Sequence, residues 1–262
     1  MDLDLAGKTF LVAAASRGLG YGIAHTLAEE GARVSIGSRT EEPILSAAET
    51  IRAETGAEAK GYVLDMRDGG SISRWVQESL RDFGSIDGVV INAGGPPPGV
   101  FEDFTDAQWQ EAFELTLLSA VRLMRGCLEP LKKRKGAMLT VTSISVREPV
   151  ANLILSNVLR AGVLGLVKSV SKEFAPYGIR VNNLIPGFFA TDRLKKLDEG
   201  EAERSGIPLE EVKKTRKRRV PLVRYGDPME FGKAAAFLLS DAAGYTTGHS
   251  FVLDGGLMKS VL

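Results

Sequence analysis

The stretch "FLVAAASRGLGYGIAHTLAEEGARVSIGSR" runs from an apolar segment through a turn of small residues into a helical one, and sets Gly18, Gly20 and Gly22 at the helix start. Free backbone N–H groups and the helix dipole make an anion site there, and residues without a Cβ let a pyrophosphate come close. About 20 residues on, where a dinucleotide site of this kind selects its ribose, stand Ser38 and Arg39. An acid at that place would hydrogen-bond a free 2′-hydroxyl. Ser38, Arg39 and, from the turn, Arg17 would instead receive a 2′-phosphate by charge-assisted hydrogen bonds, so NADP(H) is expected over NAD(H).

Other residues with chemical potential are read more blandly. "KKTRKRR" at 213 to 219 packs six basic residues into seven positions. It reads as a solvated helix face offset by "EGEAE" and "LEEV", or, more sharply, as a device that captures an anionic substrate such as a CoA or carrier-protein thioester, a phosphate or a carboxylate. No aromatic or groove-entering motif accompanies these charges, so nucleic acid is not an expected partner. Cys127, the sole cysteine, has neither His25 nor His249 near it in sequence and reads as helix packing. Glu148 reads as a solvated loop residue. Phe188, Phe189 and the prolines at 96 to 98 suit either an apolar cleft wall or core packing, and no metal site is expected.

The elements that must position these residues follow from the apolar pattern. Runs of strand length rich in Val and Ile fall at about 8 to 14, 32 to 37, 59 to 65, 86 to 92, 137 to 142, 179 to 185 and 250 to 253, with helical periodicity filling most gaps. Repeated strand-helix units make an α/β protein with a mostly parallel sheet, whose ligands sit beyond the carboxyl ends of the strands. The 262 residues read as one domain, with a charged, helix-rich insertion at 191 to 224 that suits a lid. Thirty-three basic residues balance thirty-three acidic ones, so no overall field points to nucleic acid or to an anionic membrane. A single cysteine excludes a disulfide within the chain, "MDLDLAGKTF" lacks a leader pattern, and no stretch is read as approaching the roughly 18 apolar residues of a membrane span. A cytoplasmic location is expected.

With the turn, "INAG" at 91 to 94, "TSIS" at 142 to 145, "APYGIRVNNLIPGFFAT" at 175 to 191 and "GHSFVLDGG" near the end, the chain resembles the short-chain dehydrogenase/reductases, in particular the 3-oxoacyl-(acyl carrier protein) reductases. The resemblance implies a Rossmann-type, doubly wound, seven-stranded parallel sheet flanked by helices on both faces. It also implies hydride transfer between a nicotinamide cofactor and a carbonyl or alcohol, and a homotetramer, for which apolar residues on the helices at 106 to 133 and 153 to 176 would suit a symmetric interface. It places Ser16, Arg17, Gly18, Leu19 and Gly20 at the phosphates, Asp65 and Met66 at the adenine, Asn92, Ala93 and Gly94 beside the ribose, and Pro186, Gly187 and Thr191 at the nicotinamide end. Two positions depart from the family pattern: Ala13-Ala14 replaces its Thr-Gly, and Ile91 replaces one of its paired asparagines. The methyl of Ala14 narrows the approach to the cofactor.

The family's working parts are an asparagine, a serine, and a tyrosine and lysine at i and i+4, which share one helix face so that the lysine can hold the ribose and lower the tyrosine pKa. The resemblance puts these places on Thr116, Ser143, Ser156 and Arg160. Only the serine is kept. An aliphatic hydroxyl is a far weaker acid than a phenol, and a guanidinium keeps its proton, so proton donation must be rearranged or absent. The expected function is a modified carbonyl reductase in which Arg160 binds the ribose and steadies a developing alkoxide, Ser143 orients the carbonyl, and water supplies the proton by way of Ser156. The alternative is a catalytically silent NADP(H)-binding regulator or scaffold.

Overall fold

The computed structural model describes residues 2–260. Seven strands, β1 (Thr9–Ala13), β2 (Arg33–Ser38), β3 (Ala59–Val63), β4 (Gly88–Ile91), β5 (Ala137–Val141), β6 (Arg180–Pro186) and β7 (Ser250–Leu253), form one sheet in the order β3-β2-β1-β4-β5-β6-β7. Every neighbouring pair is parallel. All seven expected strands are therefore present in the doubly wound arrangement, and the order reverses between β1 and β4, where such sheets open a crevice.

Buried parallel strands supply side chains to both faces with period two. Phe10 and Val12 of β1 join Val34 and Ile36 of β2 in a core covered by the helices Gly18–Glu29 (α1) and Glu41–Thr55 (α2). Leu11 and Ala13 point the other way, with Val89 and Met138, toward the helix Gly69–Phe83 (α3) and two longer ones. Of the latter, Ser119–Arg134 (α5) continues the short helix Asp106–Phe113 (α4) through a wide π turn at Glu114–Leu118, and Ile154–Phe174 (α6) lies on β6.

The segment Ile154–Tyr177, with a mean hydropathy of 1.3, is long and apolar enough to cross a membrane by length and composition, contrary to the expectation that no stretch comes near this limit. Its apolar face has another use, since Leu155, Leu159, Val163 and Val167 are buried in the fold. After β6 come Asp192–Ser205 (α7) and Leu209–Arg218 (α8), which make the insertion read as a lid, and then Pro228–Leu239 (α9), started by Asp227 and Glu230 in a reciprocal cap.

α1 and α9 cross at van der Waals contact of their backbones. A Cβ on Gly22 would stand 2.3 Å from the carbonyl oxygen of Pro228, and one on Gly232 would stand 2.3 Å from that of Gly22. Gly22 thus serves helix packing rather than the anion turn expected of it. Gly22→Ala or Gly232→Ala must push the helices apart, and each is expected to cost about 1–3 kcal/mol, read as a lower urea midpoint. Unchanged midpoints for both would show that the crossing tolerates a methyl.

Candidate active site

The phosphate end is built by the turn after β1. Ala14 adopts φ +53° and Gly18 φ +63°, both left-handed. The first turn of α1 then lies so close to this backbone that a Cβ on Gly20 would come within 2.3 Å of Ala14 O. Arg17 at the N-cap accepts no amide with its side chain, so the leading N–H groups of α1, with Ser16 and Leu19 in the same turn, keep their capacity for an anion. Arg17 is exposed, and its Nη1 lies 3.0 Å from Asp192 Oδ2 at the start of α7. Thr191, which caps α7 by accepting from Leu194 N, also packs over Gly18. A cleft of about 520 Å³ opens between this turn and the lid, bounded by Arg17, Gly18, Thr191, Lys213 and Pro228.

Ser38 ends β2 and Arg39 follows it at the sheet's carboxyl edge, as expected from their spacing. Asp65 and the buried Met66 follow β3. Arg67 donates to both Asp65 oxygens at 2.7–3.3 Å and holds that carboxyl below its usual range, and the positive charge of Arg39 adds to this.

At the other end, Asn92, Ala93 and Gly94 leave β4, and Ser143 leaves β5, where its Oγ accepts from Ser145 N at 3.2 Å. Thr116 sits inside the π turn, buried, with Oγ1 lacking a hydrogen-bond partner among the described residues. Asn92, Ala93, Thr116, Ser119, Val141 and Arg160 line one small cavity of about 10 Å³. Ser156 is 7% exposed on the first turn of α6. One helical turn later, Arg160 donates through Nη1 to Val141 O (3.0 Å) and Thr142 O (3.2 Å), the carbonyls that end β5. Desolvation, with a smaller contribution from the charge of Arg193, lowers its pKa to about 10, so it remains a cation at neutral pH. Pro186 and Gly187 complete this end, Gly187 N donating to Leu253 O.

A family model described as enoyl-(acyl carrier protein) reductase matches residues 13–258. The chain is 34% identical over 256 residues to the 3-oxoacyl-(acyl-carrier-protein) reductase FabG of Escherichia coli K12, covering 97% of this chain and 99% of the relative. It belongs to the short-chain dehydrogenase/reductase family. Members of this family are oxidoreductases, and so is this chain. Among solved members, L-sorbose reductase from Gluconobacter frateurii, complexed with NADPH and L-sorbose, aligns over 100% of both chains at 27% identity with a TM-score of 0.95. A short-chain oxidoreductase from Pseudomonas aeruginosa PAO1, bound to NADPH and containing an atypical catalytic center, aligns over 98% of this chain and 99% of its own at 29% identity and a TM-score of 0.88.

Several residues stand differently from their reading in sequence. Arg160 carries bonds that its reading in sequence did not include, Nη1 donating to the carbonyls of Val141 and Thr142. Half of the basic run is paired nearby: Lys213 with Glu210, Lys214 with Glu211, and Arg216 with both Asp198 and Glu201. The solvated-face reading therefore fits it better than substrate capture. Phe189 is core, packed edge-on to Phe231 at 5.1 Å, while Phe188 lies under Arg216 and Arg219. Glu148 is no free loop residue, because its Oε1 accepts from Lys259 N and Ser260 N.

Sequence reading missed Arg193. It enters from α7 and donates through Nη2 to Pro96 O at 3.0 Å, across to the loop after β4. Its place two residues after Thr191 was the available signal.

Two outcomes follow from this geometry. A left-handed alanine costs about 1–2 kcal/mol, partly offset by the entropy of a free glycine, so Ala14→Gly should stabilise the chain by up to about 1 kcal/mol in urea. Burial raises the Cys127 thiol to about 12, so it stays protonated at pH 8. It should resist iodoacetamide while folded and react on denaturation; rapid alkylation of the native chain would contradict its burial.

Proposed function

We propose that the chain is an NADP(H)-dependent carbonyl reductase whose oxyanion is steadied by a guanidinium instead of a phenol. The observation that carries this is the retained charge of Arg160, anchored on the end of β5 and bordering the same cavity as Asn92 and Thr116, one loop from Ser143. Family members support the cofactor: the sorbose reductase and the P. aeruginosa oxidoreductase with an atypical catalytic center were both solved with NADPH.

The residues present fit a phosphorylated dinucleotide. Among the described residues, α1 begins without a side-chain cap and the buried hydroxyl of Thr116 has no partner, while Gly20 presses on Ala14 O with no room for a Cβ. The amides of Gly18, Leu19 and Gly20 would hold the pyrophosphate, Ser38 and Arg39 the 2′-phosphate, Asp65 and Met66 the adenine, Asn92, Ala93 and Gly94 the ribose, and Pro186, Gly187 and Thr191 the nicotinamide end. NADPH, when bound, supplies the hydride. Ser143 Oγ orients the substrate carbonyl by donating to its oxygen, and Arg160 balances the charge that grows there. The Ser156 hydroxyl passes a proton from water to that oxygen. The same arrangement serves a conjugated enoyl substrate, since the charge formed on reducing its double bond also resides on the carbonyl oxygen.

The relatives' 3-oxoacyl chemistry points to a 3-oxoacyl-like compound as the substrate class. A cytoplasmic location and a homotetramer are proposed with it, the latter using α5 and α6, where Val158 is exposed.

The test is a cofactor titration followed by a panel of ketones, 3-oxoacyl and 2-enoyl thioesters monitored by NADPH absorbance. NADPH should bind at least about 10-fold more tightly than NADH, and Arg39→Gln should remove most of that preference. Because Arg160 titrates only near pH 10, the positive charge is present below that value and lost as pH rises through it. Turnover should therefore be level from about pH 6 to 9, without the limb of a tuned tyrosine. Tight NADPH binding with no turnover across the panel would leave a cofactor-binding regulator instead.

A further inference from the structure

Two guanidiniums border the catalytic end, and neither has a carboxylate within ion-pair distance among the described residues. Arg160 is part-buried and rests on two carbonyl oxygens. Arg193 stands nearer solvent, its guanidinium laid against Gly95, where a Cβ would meet Nη2 at 3.0 Å, with one bond to Pro96 O. Arg193 lies against Gly95 and Pro96, on the loop that begins with Asn92 and Ala93, and these two share a cavity with Arg160. Each guanidinium carries five N–H donors, and the bonds described use one nitrogen of each.

The acids on the surrounding loops are engaged elsewhere. Asp192 is with Arg17, Glu148 holds the backbone of Lys259 and Ser260, Asp103 accepts from Val100 N, and Asp65 is clamped by Arg67. Two neighbouring cations without a counter-charge repel one another, and an anion placed between them removes that repulsion while gaining charge-assisted hydrogen bonds. The cofactor phosphates are assigned a separate seat, at the start of α1 and beside Arg39.

We infer that Arg193 is a substrate-anion receptor working with Arg160, so that the preferred substrate is a carbonyl compound carrying a carboxylate close to the carbonyl that is reduced. This rests on the carbonyl-reductase reading and narrows its substrate class. Arg160 faces the oxygen that becomes the alkoxide, and Arg193 takes the carboxylate at the mouth, where it can also guide an anion inward.

The test uses the full chain saturated with NADP⁺, which cannot donate a hydride, so binding is read without turnover. Acetoacetate and its neutral methyl ester are titrated by calorimetry, with acetoacetyl-CoA as a third arm whose charges lie far from the carbonyl. Acetoacetate should bind at least 10-fold more tightly than the ester. Arg193→Gln should erase that ratio and leave NADP⁺ affinity within about twofold, while Arg193→Lys should keep part of the ratio. Equal binding of acid and ester, failure of both to bind, or tight binding of the CoA thioester alone overturns the inference. So does a ratio that survives Arg193→Gln while NADP⁺ affinity falls 10-fold, which would make Arg193 a cofactor ligand. An intact ratio in a protein that reduces no carbonyl with NADPH would sink the reductase reading and leave the anion site standing.

Discussion

A guanidinium drawn partly out of water must be paired, or be held by dipoles. Arg160 takes the second course: the carbonyls of Val141 and Thr142, left at the end of β5 where the ladder stops, accept from it. Both carbonyls lie where β5 ends and the chain turns toward Ser143. The charge is thereby fixed in place without being neutralised, which a carboxylate partner would have done. In the proposed reductase that distinction matters, since an uncompensated cation would lower the energy of a new oxyanion more than a neutralised one.

The remaining architecture serves to bring this charge opposite the phosphate turn. Glycine does so by subtraction. Gly20 seats α1 on the backbone of Ala14, and Gly22 with Gly232 seats α9 on α1, so the helix that would hold the pyrophosphate is locked from both sides. Ala14 carries the cost of this closeness as a left-handed backbone with a side chain. The strain stands where the cofactor would come nearest, and the packing behind it is tight enough to sustain it.

Much of this was legible before any coordinates. The seven strands read correctly because strands buried on both faces are continuous apolar runs, and the glycine turn stands where expected, between the first strand and the first helix. What failed was whatever depended on a partner distant in sequence. Gly22 resembles its neighbours in the turn, and only the arrival of α9 more than two hundred residues later gives it a different task. The basic run looked like a field because its acids lie three residues away or on α7, and Glu148 looked free because its partners are in the tail. α6 was misjudged in a third way: its apolar face is long enough for a membrane, and a sheet uses it instead.

Arg193 shows why the substituted pair at 156 and 160 should not be read alone. In a site with a phenol and an ammonium, one group gives the proton and the other tunes it, and the substrate's own charge is incidental. With Ser156 and Arg160 in those places the site has a permanent cation and no tunable acid, so its power must come from charge, which acts on anything nearby. A second guanidinium close to the first is then either a burden or a selector. For a neutral ketone it is a burden, raising the repulsion that the site must tolerate before the oxyanion forms. For a carbonyl acid it relieves that repulsion on binding and leaves Arg160 free to meet the oxygen. On the proposed reading, the loss of a phenol at Ser156 and the guanidinium at Arg160 make sense together with a charged substrate, and Arg193 on α7 would link the two.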